Sequence, residues 1–320
     1  MDVLHWIIVI TLIFLSINEI YKKTNHYYNT CVFEKKYFET RNYNDITNIV
    51  TGTSNALAAT ATFQKEGNYL ILARRCQEIG TDLYLLNRCI DKVKKKTNVL
   101  LFFSPCVLLF EEEEKKNLER NCNSFSADIV HQSLLTRLKI CFPLLFDLRK
   151  VRYILFDEKR RKAFYPEKTE TISETQAESK AKVLSNSWKN QFNIKDFTIE
   201  EIQRNRQAVI NENKRLLIKM IELCKDNEWN PIIVSTPFSK KLLDILGDEF
   251  LSFFHKMIYD ICQEQNVLYL NHLEDRDFVQ SYSLFSDGCF VLNEQGSRIF
   301  MRKIIKQIRS HDNESAKKTV

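Results

Sequence analysis

The chain reads Ile46-Thr47-Asn48-Ile49-Val50-Thr51-Gly52-Thr53-Ser54-Asn55 where an apolar run meets a glycine, and small residues follow from Ala56 to Ala61. The apolar run predicts a buried strand, and the small residues after it predict a helix. The turn between them would present the Ser54 hydroxyl at the carboxyl edge of a sheet, beside the backbone N–H groups of Ser54 and Asn55. The alternative is that Ser54 only caps the helix.

Four more apolar runs of strand length follow, separated by segments with helical spacing. Continuously apolar runs are typical of strands buried on both faces, as in a parallel sheet covered by helices. The predicted fold is therefore α/β: a three-layer α/β/α sandwich with a five-stranded, mainly parallel sheet. The predicted strands are 46–50, 69–73, 98–103, 231–237 and 267–270.

The sequence predicts one interrupted domain with appendages. Residues 129–156 favour a helical excursion kinked at Pro143, which either packs on the domain or rests on a membrane surface. Residues 165–187, poor in large apolar side chains, favour a mobile linker. The predicted segments are a membrane anchor (1–22), a connector (23–44), the first half of the domain (45–128), the excursion and polar linker (129–187), the second half (188–310) and a polar tail (311–320).

The amino-terminal segment is apolar and without formal charge from Val3 to Ile17. Continued as a helix to Tyr21 it has 19 residues, roughly 28 Å at about 1.5 Å per residue, close to the bilayer core of about 30 Å. A single transmembrane helix is predicted. A buried helix or an uncleaved signal segment is the alternative.

Charge and cysteine content restrict the function classes. The formal net charge is +6, from 47 basic and 41 acidic residues among 320, and nucleic acid is not indicated as a partner. The basic runs 92–96 and 159–162 are typical of solvated helix faces, with anionic phosphate or lipid surfaces as the alternative. Nine cysteines, no two closer than the step from Cys76 to Cys89, predict neither a metal site nor a disulfide framework, and no cofactor is predicted.

A serine after the first strand, an aspartate turn after the fifth and a closing helix from about Asn293 together resemble the SGNH (GDSL-like) hydrolase superfamily. The phrases that carry the resemblance are 49–55, 284–287 and 292–296, and it covers 45–104 and 215–308. The chain is similar to membrane-anchored members linked to cell-surface polymers, such as the D-alanyl-lipoteichoate and alginate O-acetylation proteins. The resemblance implies Ser54 as nucleophile and Asp287 as the catalytic aspartate, with Gly52, Asn55 and Ser104 at the oxyanion pocket.

The family histidine is missing. Counted three residues after the aspartate it falls on Phe290, and counted from the Leu-Asn pair it falls on Val291; neither side chain can take a proton. A positioned general base supplies a factor of about 10² to 10⁴ in rate. His272, after the fifth strand, is the candidate substitute base, with a surface histidine as the alternative.

Two further parts of the family pattern are also unmatched. The family's oxyanion glycine has no clear counterpart around Arg75-Cys76-Gln77, and the family asparagine falls near Ser104-Pro105. Cys289, beside the missing histidine, is read as a packing residue rather than a nucleophile.

Three hypotheses follow. The first is a degenerate, non-catalytic scaffold that binds a glycan or accompanies a membrane-bound acyltransferase. The second is an active serine O-acyltransferase or esterase on a surface polymer, and the third is a membrane-anchored α/β domain unrelated to hydrolases. Lys22, Lys23 and the cysteines favour the cytoplasm. Relatives of this layout place the domain outside the cytoplasmic membrane, and following the resemblance we predict a membrane-anchored, extracytoplasmic domain.

Overall fold

The computed structural model describes residues 3–63, 68–111, 138, 141–160 and 172–318. The chain forms two compact units. The anchor unit comprises Met1–Arg41 and Glu113–Phe164, and the sheet unit comprises Asn42–Glu112 and Tyr165–Val320.

The sheet unit is built on five parallel strands in the order β2-β1-β3-β4-β5. This confirms the predicted α/β class and strand number, and each strand ends within two residues of its prediction. In this order the chain reverses direction across the sheet between β1 and β3, where α/β proteins commonly bind ligands. The strands are β1 (Asn48–Thr51), β2 (Tyr69–Ile71), β3 (Asn98–Phe102), β4 (Asn230–Ser235) and β5 (Leu268–Asn271).

The helices of the sheet unit pack in two groups. The helix after β1 packs with the closing helix, Glu294–Lys318, while Ile199–Asp226 packs with the helices after β2 and β4. The described residues of the sheet unit form the α-helices Ser54–Thr60, Ile79–Asn87, Glu174–Phe192, Ile199–Asp226, Lys240–Leu246, Asp248–Gln265, Arg276–Val279 and Glu294–Lys318. Its 3-10 turns are Tyr43–Asp45, Ala61–Phe63, Val107–Leu109 and Tyr282–Leu284.

The predicted mobile linker is wrong from residue 174 onward, because Glu174–Phe192 is a helix, here called the cover helix. Ser173 and Gln176 form a reciprocal capping box at its start. Its buried face consists mainly of small residues four apart, which a search for large apolar side chains misses: Ala177, Ala181, Ser185, Trp188 and Phe192. Residues 165–171 lie outside the described part of the chain.

The anchor unit begins with the anchor helix, Val3–Lys22, which is long and apolar enough to cross a membrane. Its buried side chains, Asn18 and Tyr21, lie at its carboxyl end. The predicted kink at Pro143 is wrong, because Pro143 is the first residue of a separate short helix, a position that tolerates a missing N–H. In the part of this unit that the structure describes, the other elements are Asn25–Tyr27, the π-helix Tyr28–Val32, Phe33–Glu39, Pro143–Phe146, the 3-10 turn Leu148–Val151 and Arg152–Leu155.

Candidate functional site

The serine turn leaves β1 through a glycine that no other residue could replace without strain. Gly52 has φ +124°, and a Cβ placed there would lie 2.9 Å from both the Cβ and the carbonyl oxygen of Phe102 at the end of β3. The Gly52 N–H donates to Asp82 Oδ1 at 2.9 Å. Asp82 also accepts from the Gln77 amide, so a buried polar cluster after β2 fixes the turn. Sequence reasoning missed Asp82 because it reads as part of an apolar helix.

Ser54 is the first residue of the helix after β1, and its side chain is half-buried. The N-cap residue is Thr53, whose hydroxyl donates to Asn55 Oδ1 at 2.8 Å instead of accepting from the helix. The alternative in which Ser54 is the helix cap is therefore wrong. The serine lies at the positive end of a helix, although a helix of two turns contributes only a weak dipole.

Asn55 is buried and joins two loops of the sheet edge. Its Nδ2 donates to Thr236 Oγ1 at 2.8 Å, and Thr236 follows β4. Because β3 lies between β1 and β4, this hydrogen bond crosses the carboxyl end of β3, where the predicted pocket residue Ser104 is also buried. The Asn55 amide is thus committed to holding the edge together.

Asp287 organises its own turn. Its Oδ1 accepts from the backbone N–H groups of Cys289, Phe290 and Val291 at 2.9, 3.0 and 3.0 Å. Burial raises the pKa of the Asp287 carboxyl above its usual value, although the three N–H groups oppose this by favouring the anion. Gly288 has φ +71°, and a Cβ there would lie 3.0 Å from the Cα of Ala177 in the cover helix.

The two distant stretches that carry the family resemblance both contact the loop after β4. Asn55 bonds Thr236, and the Cys289 carbonyl accepts from the Ser239 N–H at 2.7 Å. The closing helix also bonds the helix of Ser54, through Ser297 Oγ donating to the Ala59 carbonyl at 2.7 Å. The serine turn and the aspartate turn therefore lie along one edge of the sheet.

Aromatic side chains surround Phe290, one of the two positions where the resemblance would place a histidine. The Phe290 ring lies 5.4 Å from the Trp188 ring and 5.8 Å from the Phe238 ring, both edge-on. Val291, the other candidate position, is buried, and its carbonyl accepts from the Ser286 N–H at 2.8 Å. The sequence gives no sign of Trp188 at this site, because nothing local pairs a cover-helix residue with a turn about 100 residues later.

His272 is committed elsewhere. Its Nδ1 lies 2.8 Å from Asp275 Oδ2 and its Nε2 lies 2.8 Å from Gln307 Oε1. It follows β5, three strands from β1, which is about 14 Å at about 4.8 Å per strand. The structure does not bring the predicted substitute base to Ser54.

Cys76 has a backbone conformation that favours glycine. Its φ is +53°, in the loop after β2 where the resemblance implies an oxyanion glycine. Its side chain is exposed. Cys289 behaves as the packing residue that was predicted, since burial raises the pKa of its thiol to about 12 and its Sγ lies 3.8 Å from the Ala177 carbonyl.

An open cleft of about 400 Å³ lies at the same sheet edge, beside β4 and β5. Its lining is largely charged and does not include Ser54 or Asp287; it consists of Lys240, Leu243, Asp244, Asp248, Glu274, Arg276, Val279 and Gln280. Among the described residues, no group of three histidine, cysteine, aspartate or glutamate side chains could hold a metal ion.

The chain matches no protein-family model and no curated protein.

Proposed function

We propose that this chain is a non-catalytic, membrane-anchored relative of the SGNH hydrolases that binds its ligand as a scaffold in cell-surface polymer biosynthesis or modification. The observation that carries the proposal is the aromatic cluster of Trp188, Phe238 and Phe290 at the position where the family has its general base. A serine hydroxyl without a base within hydrogen-bond reach is a weak nucleophile.

The aspartate supports the same conclusion. In a working triad the carboxylate orients an imidazole, whereas one oxygen of Asp287 already accepts from three backbone N–H groups. A substitute imidazole from His272 would have to leave Asp275 and Gln307 and cross the width of three strands. The remaining parts can hold a pocket together, and the structure shows no described histidine hydrogen-bonded to Ser54 or Asp287.

A glycan of the surface polymer is the ligand we favour. The cleft beside β4 and β5 carries both donors and acceptors, and Arg276, Glu274 and Gln280 suit the hydroxyls of a sugar. A membrane-bound acyltransferase is the second candidate partner, and it is favoured by the anchor helix, which would place both proteins in one membrane. In this proposal the sheet unit lies outside the cytoplasmic membrane.

The absence of catalysis is tested with a fluorophosphonate probe on the purified full-length chain. We expect no labelling that Ser54→Ala abolishes. Ser283→Ala, at an exposed serine of the sheet unit, controls for reaction at other serines. Labelling lost in Ser54→Ala and retained in Ser283→Ala would instead establish the active acyltransferase or esterase.

Ligand binding is tested by retention of the full-length chain on a panel of bacterial surface polymers. We expect retention on at least one glycan, and loss of it in Arg276→Ala, while Arg298→Ala on the closing helix, whose side chain pairs with Glu294, leaves it unchanged. Retention that ignores Arg276 would exclude the cleft, and retention on no polymer would favour the acyltransferase partner.

A further inference from the structure

The anchor unit carries an unusual cluster of exposed apolar side chains outside the anchor helix. Residues 141–160, here called the foot, expose Leu145, Leu148, Leu155 and Phe156 to 56%, 67%, 76% and 78%. Of the seven large apolar residues described as exposed outside the anchor helix, five lie in the foot. Apolar surface concentrated in this way marks an interaction site.

Basic side chains lie among these apolar residues. Arg149 and Arg152 are exposed, the side chain of Arg149 to 88%. The foot has five basic and three acidic residues. Two of the acidic residues are exposed but bond to the segment after the anchor helix: Asp157 accepts from the Asn25 and His26 N–H groups at 2.9 and 3.2 Å, and Glu158 lies 3.1 Å from the His26 ring. The third, Asp147, pairs with Arg149 Nε at 2.9 Å. The foot therefore combines exposed apolar side chains with a net charge of +2, from five basic and three acidic residues.

The foot is fastened to the carboxyl end of the anchor helix. Asn18 Nδ2 donates to the Cys141 carbonyl at 3.1 Å, so the foot accepts the hydrogen bond of a buried donor on the helix. Beyond the helix, the His26 ring stacks on Tyr153 with centroids 3.5 Å apart, and Asn29 Nδ2 donates to the Lys159 carbonyl at 2.9 Å. The level of the foot along the helix is consequently fixed.

At that level the uncharged part of the anchor helix ends, and this part is shorter than the hydrocarbon core of a bilayer. The uncharged stretch from Val3 to Ile17 has 15 residues, about 22 Å of helix against a hydrocarbon core of about 30 Å. The next turn holds Asn18 and Glu19, and the foot covers Asn18. Exposed leucine and phenylalanine side chains at this level would extend the apolar band of the unit, which offsets the mismatch.

We propose that the foot is an interfacial membrane-binding element that lies on the leaflet in which the anchor helix ends. Leu148, Leu155 and Phe156 enter the boundary between head groups and acyl chains, and Arg149 and Arg152 contact anionic head groups. The partner is an anionic lipid bilayer. This inference requires the anchor helix to be inserted, and it is independent of whether Ser54 is catalytic.

The test uses the full-length chain in nanodiscs of anionic lipid with bromine on the acyl chains, which quenches indole emission on contact. Phe156→Trp and Leu148→Trp are made in a Trp6→Phe parent, whose remaining Trp188 and Trp229 are buried and give the baseline. We expect blue-shifted emission from both introduced indoles and strong quenching by shallow bromines, since interfacial side chains lie about 5–10 Å below the surface.

The wild-type chain separates failure of the foot from failure of the anchor. Quenching of Trp6 reports insertion of the anchor helix. The proposal is overturned if Trp6 is quenched while both introduced indoles emit as in water. It is also overturned if Trp6 is quenched while both introduced indoles are shielded from water but not quenched, because a protein partner or a second copy would then cover the foot. If Trp6 is not quenched, the anchor helix is not inserted, and the proposal is overturned because it requires that insertion.

The charge contribution has a matched control. Arg149→Glu with Arg152→Glu is expected to lower the quenching at Phe156→Trp in anionic nanodiscs, and to have little effect in neutral phosphatidylcholine. Arg88→Glu with Lys94→Glu changes the net charge equally at exposed positions of the sheet unit and is expected to leave the quenching unchanged. Equal effects of the two pairs would overturn specific head-group contact.

Discussion

Gly52 shows how closely the backbone of one residue can be constrained by its neighbour strand. Its positive φ and its contact with the end of β3 are separate constraints, since one belongs to the backbone and the other to packing. Gly247 offers a comparison, because it has φ +77° and a Cβ placed there would meet nothing within 4 Å. The two glycines therefore allow strain and crowding to be measured apart.

Gly52→Ala is expected to destabilise the sheet unit more than Gly247→Ala does. Both variants add backbone strain, of about 1–3 kcal/mol, and Gly52→Ala adds overpacking against Phe102, worth about 1–3 kcal/mol more. The measurement is urea unfolding in mild detergent, followed by the emission of Trp188 and Trp229. Equal losses of unfolding free energy would mean that Phe102 moves aside freely.

Asp287 gives a pH-dependent prediction. Its pKa is raised in the folded state because burial outweighs the three N–H hydrogen bonds, so the folded chain holds this proton more tightly than the unfolded chain does. The associated stability is present below the unfolded pKa, about 3.9, and is lost as pH rises through the folded value.

Wild type is accordingly expected to lose stability relative to Asp287→Asn between about pH 4 and neutrality, since the variant has no carboxyl to ionise there. Unfolding free energies of both chains across this range test the sign. A difference that stays constant, or that grows in favour of wild type with rising pH, would show that the N–H groups dominate instead.

At the scale of elements, the cover helix is the segment whose structure the sequence concealed. Its capping box uses an exposed serine, and its inner face relies on alanines that bury little area each. The strands could be predicted because unbroken apolar runs of this length are typical of buried strands. The cover helix is rich in polar residues and alanine, and such a composition is also typical of a linker.

Ser173→Ala is expected to loosen the first turns of the cover helix, since loss of an N-cap costs about 1 kcal/mol. Hydrogen exchange of the amides from Gln176 to Ala181 should accelerate several-fold. Ser187→Ala, at an exposed mid-helix serine, should leave them unchanged or slightly slower. Unaltered exchange in Ser173→Ala would show that packing alone holds the helix start.

The candidate site was predictable in part for a related reason. The serine turn and the Asp287 turn each follow a strand predicted to be parallel, and the carboxyl ends of parallel strands share one edge of a sheet. The hydrogen bonds that fix the serine turn could not be predicted. Asp82 accepts from Gly52 across 30 residues of sequence, and Thr236 accepts from Asn55 across 181. Such pairs depend on side-chain geometry that periodicity does not encode.

At the scale of the whole molecule, the cysteines make the proposed location testable. Cys76 is exposed in the sheet unit. Among the described cysteines, Cys89, Cys106, Cys224, Cys262 and Cys289 are buried. Exposed thiols react with maleimides, and thiols buried in apolar surroundings do so slowly.

With the sheet unit outside the cytoplasmic membrane, a membrane-impermeant maleimide is expected to label intact cells that express the full-length chain, and Cys76→Ser is expected to reduce this labelling. Cys262→Ser, at a buried position, should not. Labelling of Cys76 that requires permeabilised cells would place the sheet unit in the cytoplasm, as the lysines after the anchor helix favour.

The separation of β3 from β4 along the chain also affects how the protein is made. Phe102 ends β3 and Asn230 begins β4, with 127 residues between them. At a translation rate of about 5–20 residues per second, the open edge of β3 waits roughly 6–25 s for its neighbour strand. During that interval Val99, Leu100 and Leu101 have no β4 to cover them. A chaperone would therefore be needed most during this interval, when the nascent chain contains β3 but not yet β4.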